Sequence, residues 1–266
     1  VRFNKTQHSY SLFAKSIIIQ SLLTVIDYWP ELADLTAEMK PQGILNDLQL
    51  VVKDKKPNYL LTRFEQLSWH AQQHLPGVSH LSGALQWAPQ EGHLELDSKD
   101  TSLYIKGYPQ QNLDLLNASI DWKELSNGFR LSIEHFVLSQ PELTLSAQGG
   151  LDGVSNDSLG SIRLGVDFSA KNVQKWMPYL PKKHMKIKLF NWLNNDIKRI
   201  EQVTGTLKLN GLISDFPFDQ GNGDFSITAH AVGGELLITP KWPVIKDLEG
   251  YIRLKKRSLD IDIIDG

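Results

Sequence analysis

The sequence contains no cysteine, and its charge is nearly balanced, with 28 basic and 30 acidic side chains. Without cysteine the chain can form no disulfide bond, no thiolate metal site and no cysteine nucleophile. A net charge of −2 provides no strong positive field for a nucleic-acid backbone. We therefore expect no nucleic-acid partner.

A long apolar run is also missing. The most apolar segment, Ile17 to Ile26, has about half of the roughly 20 residues that a membrane-spanning helix needs, and it contains Gln20 and Thr24. Val1 is not followed by the basic and apolar pattern of a signal peptide. We expect residues 1–266 to be one segment of a longer polypeptide, with any membrane anchor outside this sequence.

Motifs for catalysis and metal binding are weak. His70 and His74 have the spacing that places two imidazoles on one helix face, but Ala71 stands where a two-histidine zinc hydrolase carries its glutamate base. The segment Gly77 to Leu81 lacks the closing glycine of a serine nucleophile elbow. We expect no catalytic residue, no metal site and no cofactor. An enzyme would require a polar pocket that gathers His70, His74 or His80 with carboxylates.

What the sequence does contain is a two-residue periodicity. Within Leu81 to Asp97, apolar Leu85 and Trp87 alternate with other residues before a turn, and Leu94 and Leu96 resume the alternation after it. Side chains of a strand point alternately to opposite sides, so this stretch predicts a β-hairpin with one apolar face.

The same alternation recurs along most of the chain. It predicts an antiparallel meander over residues 43–169 and a second meander over residues 203–266. Turn signals such as Ser126-Asn127-Gly128 separate the strands, because Asn-Gly tolerates positive φ. The predicted fold class is mainly β, with one extended antiparallel sheet.

Helical spacing is confined to a few short segments. We expect residues 11–40 to form a helical N-terminal part, with helices over Leu12–Ile26 and Glu31–Met39, although the β-branched run at Ile17 weakens the first prediction. A helical insert over Lys171–Glu201 separates the meanders, and we expect it to cap an end of the sheet or lie over a face.

Two groups of residues leave alternatives open. The basic run from Lys182 to Lys188 suits either anionic head groups or the solvated face of a helix. The seven tryptophans, among them Trp87 and Trp122, suit either an ordinary core or the lining of an apolar groove.

Several segments resemble the YhdP-type proteins of the AsmA-like superfamily, in order and over most of the chain from about Lys40. They are Met39–Leu48, Leu75–Gly83, Gly92–Asp97, Trp192-Leu193, Gly211–Phe218, and Trp242-Pro243 with the following Gly250. The resemblance implies a periplasmic protein, anchored in the inner membrane by an N-terminal helix that this sequence does not include. It also implies a long, curled β-sheet whose hydrophobic groove carries phospholipid between the inner and outer membranes, similar to bridge-like lipid transfer proteins.

Our leading hypothesis is a non-enzymatic segment of such a carrier, with phospholipid acyl chains as its ligand and its envelope protein partners open. The alternative is a structural or interaction module with a closed β core. Under the leading hypothesis the groove is lined by apolar strand positions: Leu85, Trp87, Leu94, Leu96, Ile120, Trp122, Leu131, Ile133, Leu143, Leu145, Ile162, Leu164, Val166, Leu207, Leu209, Phe225 and Ile227.

Overall fold

The computed structural model describes residues 1–5, 9–26, 37–54, 56–72, 75–126, 128–155, 157–179, 187–237 and 242–266. These residues form two compact units, Val1–Gln140 and Pro141–Gly266. In each unit the strands follow one another in chain order and pair antiparallel. The prediction of a mainly β, antiparallel fold with a few short helices is confirmed.

The first unit contains eight strands, one α-helix and a further helical stretch at residues 37–39 within the described part of the chain. In chain order the strands and the α-helix are β1 (Arg2–Lys5), β2 (Ser9–Ile18), α1 (Ile19–Ile26), β3 (Gln42–Lys53), β4 (Lys56–Trp69), β5 (Gly77–Ala88), β6 (Glu91–Tyr104), β7 (Gln111–Leu125) and β8 (Gly128–Gln140).

The second unit contains six strands and one α-helix in the part of the chain that the structure describes. They are β9 (Leu143–Val154), β10 (Ser161–Lys171), α2 (Ile187–Asn195), β11 (Ile197–Leu212), β12 (Gly223–Leu236), β13 (Ile245–Lys255) and β14 (Ser258–Asp265). The described residues of this unit also include 3-10 helices at Val173–Tyr179 and Ile213–Asp215.

The register of the first unit aligns apolar residues across neighbouring strands. Leu85 pairs with Leu94, Leu94 with Ile120, and Ile120 with Ile133. Directly opposed residues point to the same side of a sheet, so these four side chains form one row across four strands. The hairpin predicted around Leu81 to Asp97 is therefore present as β5 and β6.

Three bulges interrupt the strand pairing of the first unit at residues with positive φ. Asp47, Gln66 and His80 have φ values of 51°, 54° and 61°. Each lies at a register shift, in β3, β4 and β5 respectively. A bulge bends its strand and increases the local twist, so these positions curve the sheet of the first unit.

The helix predicted over Leu12–Ile26 is correct only in its second half. Residues up to Ile18 belong to β2, where Ile17 pairs with Leu45 and Ile18 with Ile44. β-branched isoleucines fit a pleated sheet well, and pairing with β3 outweighs the helical spacing. Of the helix predicted over Glu31–Met39, residues 37–39 are helical and residues 31–36 lie outside the described part.

The predicted insert over Lys171–Glu201 contains the 3-10 helix and α2, but its last residues are a strand. Ile197 pairs with Leu236 and Ile200 with Gly234, in β11 and β12. The helical spacing of Ile197 and Ile200 was misleading because a register shift in β11 turns both side chains into the apolar cluster of the second unit. In the described residues we find no helix with the length and apolar character to cross a membrane.

Candidate functional site: apolar faces of the two units

One face of the second unit is entirely apolar at the paired positions. The register of β9 to β14 places leucine, isoleucine, valine, phenylalanine, alanine and glycine on it. These positions are Leu143, Leu145, Ala147, Gly149, Leu151, Ile162, Leu164, Val166, Phe168, Ala170, Val203, Gly205, Leu207, Leu209, Gly211, Gly223, Phe225, Ile227, Ala229, Ala231, Gly250, Ile252, Leu254, Leu259, Ile261 and Ile263. The opposite face is mainly polar, because the alternating residues of the same strands are mostly Ser, Thr, Asp, Lys, Arg, Gln and His.

This apolar face is not a sealed core. Only Ala170, Ala229 and Ala231 on it are buried, with 5–8% of their surface exposed. Most of the larger side chains are half-exposed, and on β14 Ile261 and Ile263 are 42% and 55% exposed. A contiguous apolar surface of this kind marks an interaction or ligand site.

A short helix borders the face along one side. Trp192 and Leu193 of α2 pack against a buried cluster of Ile197, Ile200 and Ala231. Ala231 belongs to the apolar face, so α2 lies over the row that crosses the strands at this position. The expectation that the helical insert covers part of a sheet face agrees with this packing.

Hydrogen bonds hold the neighbouring 3-10 helix against the same strands. The backbone N–H of Ile200 donates to Gln174 Oε1 at 3.2 Å. Glu142 accepts from Lys175 Nζ and from Asn172 Nδ2, each at 2.6 Å. The hydrogen bond from Lys175 is the main reason why the pKa of Glu142 lies below its usual value.

An aromatic loop borders the opposite side of the face. Phe218 is fully buried and its ring lies over the α-carbons of Gly211 and Gly223, two positions of the apolar face. Phe216 contacts Phe218 and Phe225 edge to face, with centroid distances of 5.9 and 5.1 Å. A glycine on each strand makes this close approach of the ring feasible.

A strip of the face runs across the strands between these two borders. On β11 it comprises the rows of Gly205, Leu207 and Leu209, between the Val203 row and the Gly211 row. At about 3.4 Å per residue these three rows span roughly 14 Å along the strand. We call this region, from β9 to β14, the open strip.

The first unit carries a corresponding apolar face. A second row on it consists of Leu60, Trp87, Gly92, Trp122 and Leu131, parallel to the row that contains Leu85. The buried cluster of the first unit lies further along the strands and comprises Phe64, Val78, Leu81, Leu96, Leu113, Leu116 and Ala118. The first unit thus combines a small core with half-exposed apolar rows.

The structure places every predicted groove residue on the apolar face of its unit. Leu96 is buried, at 8% exposure, and the other sixteen are half-exposed. Their contact with lipid stays a prediction. The sequence-based list omitted others on the same faces, including Phe168, Ile252 and Ile261, although the alternation of their strands was the signal that identifies them.

The polar face of the first unit carries a histidine network. His93 lies 2.8 Å from Asp121 through Nδ1 and 2.8 Å from Glu95 through Nε2, and Ser119 Oγ donates to Glu95 at 2.8 Å. The hydrogen bond to Asp121 is the largest cause that raises the pKa of His93 above 6.5. The network joins β6 to β7 on the side opposite to the apolar rows.

The weak metal motif is not assembled in the described residues. His70 and His80 are exposed, and His74 lies outside the described part. Among the described residues no group of three or more His, Asp or Glu side chains is placed to hold a metal ion. His80 instead has a backbone role, because its N–H donates to Ser68 Oγ at 3.0 Å within the bulge.

Comparisons with known proteins agree with a shared origin along the whole chain. The model of the family described as "YhdP protein" matches residues 1–266. The chain is 25% identical over 233 residues to the "Intermembrane phospholipid transporter YhdP" of Escherichia coli strain K12. The aligned region covers 83% of this chain and 18% of that relative, so the chain spans less than a fifth of the relative's length. No solved structure matches this chain at a significant level.

Proposed function

The chain belongs to the YhdP family, and we propose that it is a segment of a phospholipid carrier that binds acyl chains along its apolar faces. The observation that carries the proposal is the second unit's face, which is apolar at every paired position and half-exposed. A relative with 25% identity is named as an intermembrane phospholipid transporter, which supports the same ligand class.

The energetics of an acyl chain favour a continuous apolar surface as its carrier. Exposing about fifteen methylenes to water costs on the order of 10 kcal/mol, at roughly 0.8 kcal/mol per methylene. Rows of alternating strand residues, such as the one through Leu164 and Leu209, provide cover without a single essential side chain. This mechanism is non-enzymatic and requires no catalytic motif.

The borders of the open strip favour an acyl chain that lies across the strands. α2 and the Phe216–Phe218 loop restrict movement along the strand direction, whereas the strip continues from β9 to β14. Five interstrand spacings of about 4.8 Å give the strip a length of roughly 24 Å. A phospholipid tail fits along this length.

We place this activity in the periplasm. A carrier between two membranes works in the aqueous compartment that separates them, and its polar faces then contact water. The anchor to the inner membrane belongs, in this proposal, to a part of the protein outside residues 1–266. The proposal names no envelope protein as a partner.

The alternative of a closed structural module is not favoured. A closed core predicts fully buried side chains at Leu145, Leu164 and Leu207, and all three are only partly buried. The apolar rows of the first unit, with Trp87 and Trp122, are half-exposed as well.

Native mass spectrometry of the chain, purified in mild detergent after expression in a Gram-negative host, tests the proposal. We expect phospholipid adducts on the wild-type chain and at least fivefold fewer on Leu164→Asp, which introduces a charge into the open strip. The matched control is Arg163→Asp, which changes the adjacent outward position on β10. Equal adduct levels on the two variants would contradict the proposed binding surface.

A further inference from the structure

The second unit contains an apolar cavity, open to solvent, between α2 and the sheet. Trp192 of α2 lines it on the helix side and forms its roof. Its floor crosses four strands, with Ile200 on β11, Ala231 on β12, Ile252 on β13 and Ile263 on β14. The cavity therefore extends in the same direction as the open strip, along its helix-bordered side.

The lining of the cavity selects an apolar ligand. The charged side chains that border it are already paired: Arg199 with Glu201 at 2.7 Å and with Glu235 at 4.0 Å, and Glu249 with His230 at 2.8 Å. A charged ligand group entering here would lose its hydration and compete with existing ion pairs. A hydrocarbon chain has no such hydration to lose and does not compete for the ion pairs.

The dimensions fit one hydrocarbon chain. The floor crosses three interstrand spacings, about 14 Å, which is the length of roughly ten to twelve methylenes. Gly234 and Gly250 are part of the lining and contribute no side chain, so the floor stays low beneath Trp192. A chain here touches protein on two sides, whereas a chain on the open strip touches the floor alone.

We propose that this cavity is a binding site for the distal half of one phospholipid acyl chain, with Trp192 as its roof. The proposal rests on the proposed function and deepens it, because it names one position where binding is tighter than on the rest of the face. The physical reason is that covering a methylene on two sides removes more apolar area from water.

Fluorescence quenching in the full chain tests the site. The probes are vesicles of phosphatidylcholine that carries a doxyl quencher at carbon 5 or carbon 12 of one acyl chain. The difference between the wild type and Trp192→Phe isolates the emission of Trp192. We expect this emission to fall at least twofold with the carbon-12 probe and less with the carbon-5 probe, because the distal half of the chain occupies the cavity. The matched control is Trp242→Phe, since Trp242 is 62% exposed and its emission should change little.

A cavity-filling variant tests the same site independently. Ala231→Leu should weaken the apparent affinity measured by Trp192 quenching about tenfold. Ala170→Leu, a buried alanine on the same face that does not line the cavity, should leave it within twofold. Circular dichroism and thermal melting show whether each variant is folded. If Ala231→Leu does not fold, the site is still tested by comparing the quenching of Trp192 with that of Trp242, for which only the two Trp→Phe variants are needed.

The outcomes separate this proposal from the proposed function. The emission of Trp87 and Trp122 is obtained in the same way, as the difference between the wild type and Trp87→Phe or Trp122→Phe. If that emission is quenched and the emission of Trp192 is not, the cavity site is overturned and lipid binding on the faces stands. An absence of quenching at all three tryptophans, together with no phospholipid adducts by mass spectrometry, would overturn both.

Discussion

The indole of Trp122 lies against Gly92, its directly paired neighbour on the adjacent strand, so closely that a Cβ at position 92 would overlap the ring. Phe168 likewise contacts its paired Gly205 in the second unit, with Cζ of its ring 2.7 Å from where a Cβ would stand. In both units a glycine leaves room for an aromatic ring of the neighbouring strand on the apolar face.

Gly92→Ala should therefore destabilise the first unit and displace the Trp122 ring on its apolar face. The added methyl forces the Trp122 ring or the strand to move, and such overpacking costs about 1–3 kcal/mol. Urea unfolding measures the loss. Gly165→Ala is the matched control, because a Cβ there meets no atom within 4 Å; an equal loss in both variants would contradict the role of the ring.

Phe218→Ala should lower stability far more than Phe216→Ala. Phe218 is fully buried over Gly211 and Gly223, whereas Phe216 is 51% exposed. Truncation of a buried phenylalanine costs about 3–5 kcal/mol, and an exposed one costs a fraction of that. Thermal melting distinguishes the two. Similar melting temperatures would mean that the loop does not depend on Phe218 for its position over the face.

His93 should give the chain a pH-dependent stability. Its pKa is raised above 6.5 in the fold, chiefly by the hydrogen bond to Asp121, so its contribution is complete below pH 6.5 and is lost as the pH rises through the folded pKa. The side chain is 37% exposed, so solvent screening keeps the effect below about 1 kcal/mol.

Two variants check this dependence. Urea midpoints of the wild type should fall between about pH 6 and pH 8, and His93→Gln and Asp121→Asn should flatten that fall. A titration of the His93 ring by NMR should give a pKa above 6.5. An unchanged slope in both variants would refute the assignment.

Lipid capture should tolerate the loss of any one apolar side chain on the open strip. Leu207→Ala removes one contact in a row of many, so the amount of bound phospholipid should change less than twofold. Truncation of Leu164, Leu207 and Leu209 together should lower it at least fivefold, because the cover is broken over neighbouring rows. A full loss with Leu207→Ala alone would indicate a discrete site in place of distributed cover.

The alternation of the strands was predictable because it is local. Apolar residues at every second position specify both a strand and its buried side, so the hairpin of Leu85 and Leu94 and its apolar face follow from the sequence. The same reasoning reaches Leu164 and Val166. It specifies which residues share a face but not what covers that face.

Other features depend on tertiary contacts and have no local signal. Gln66 and His80 adopt positive φ at bulges, a conformation that non-glycine residues rarely take without support from neighbouring strands. Gly205 in a strand suggests a weak point, yet it lies beneath Phe168. Phe218 follows a proline in a loop, and its burial over two glycines requires the register of β11 with β12.

Photocrosslinking along one strand tests the central claim most directly. A photoreactive side chain is placed in turn at Ile162, Arg163, Leu164, Gly165, Val166 and Asp167 of β10, and phospholipid adducts are measured in Gram-negative cells. The same comparison in the first unit uses Leu94, Ile120 and Leu131 against the outward Glu95 and Ser132. We predict capture that alternates with a period of two residues, strong at Ile162, Leu164 and Val166 and weak between them. Uniform capture along β10, or capture confined to Arg163 and Asp167, would contradict acyl-chain binding by the apolar face.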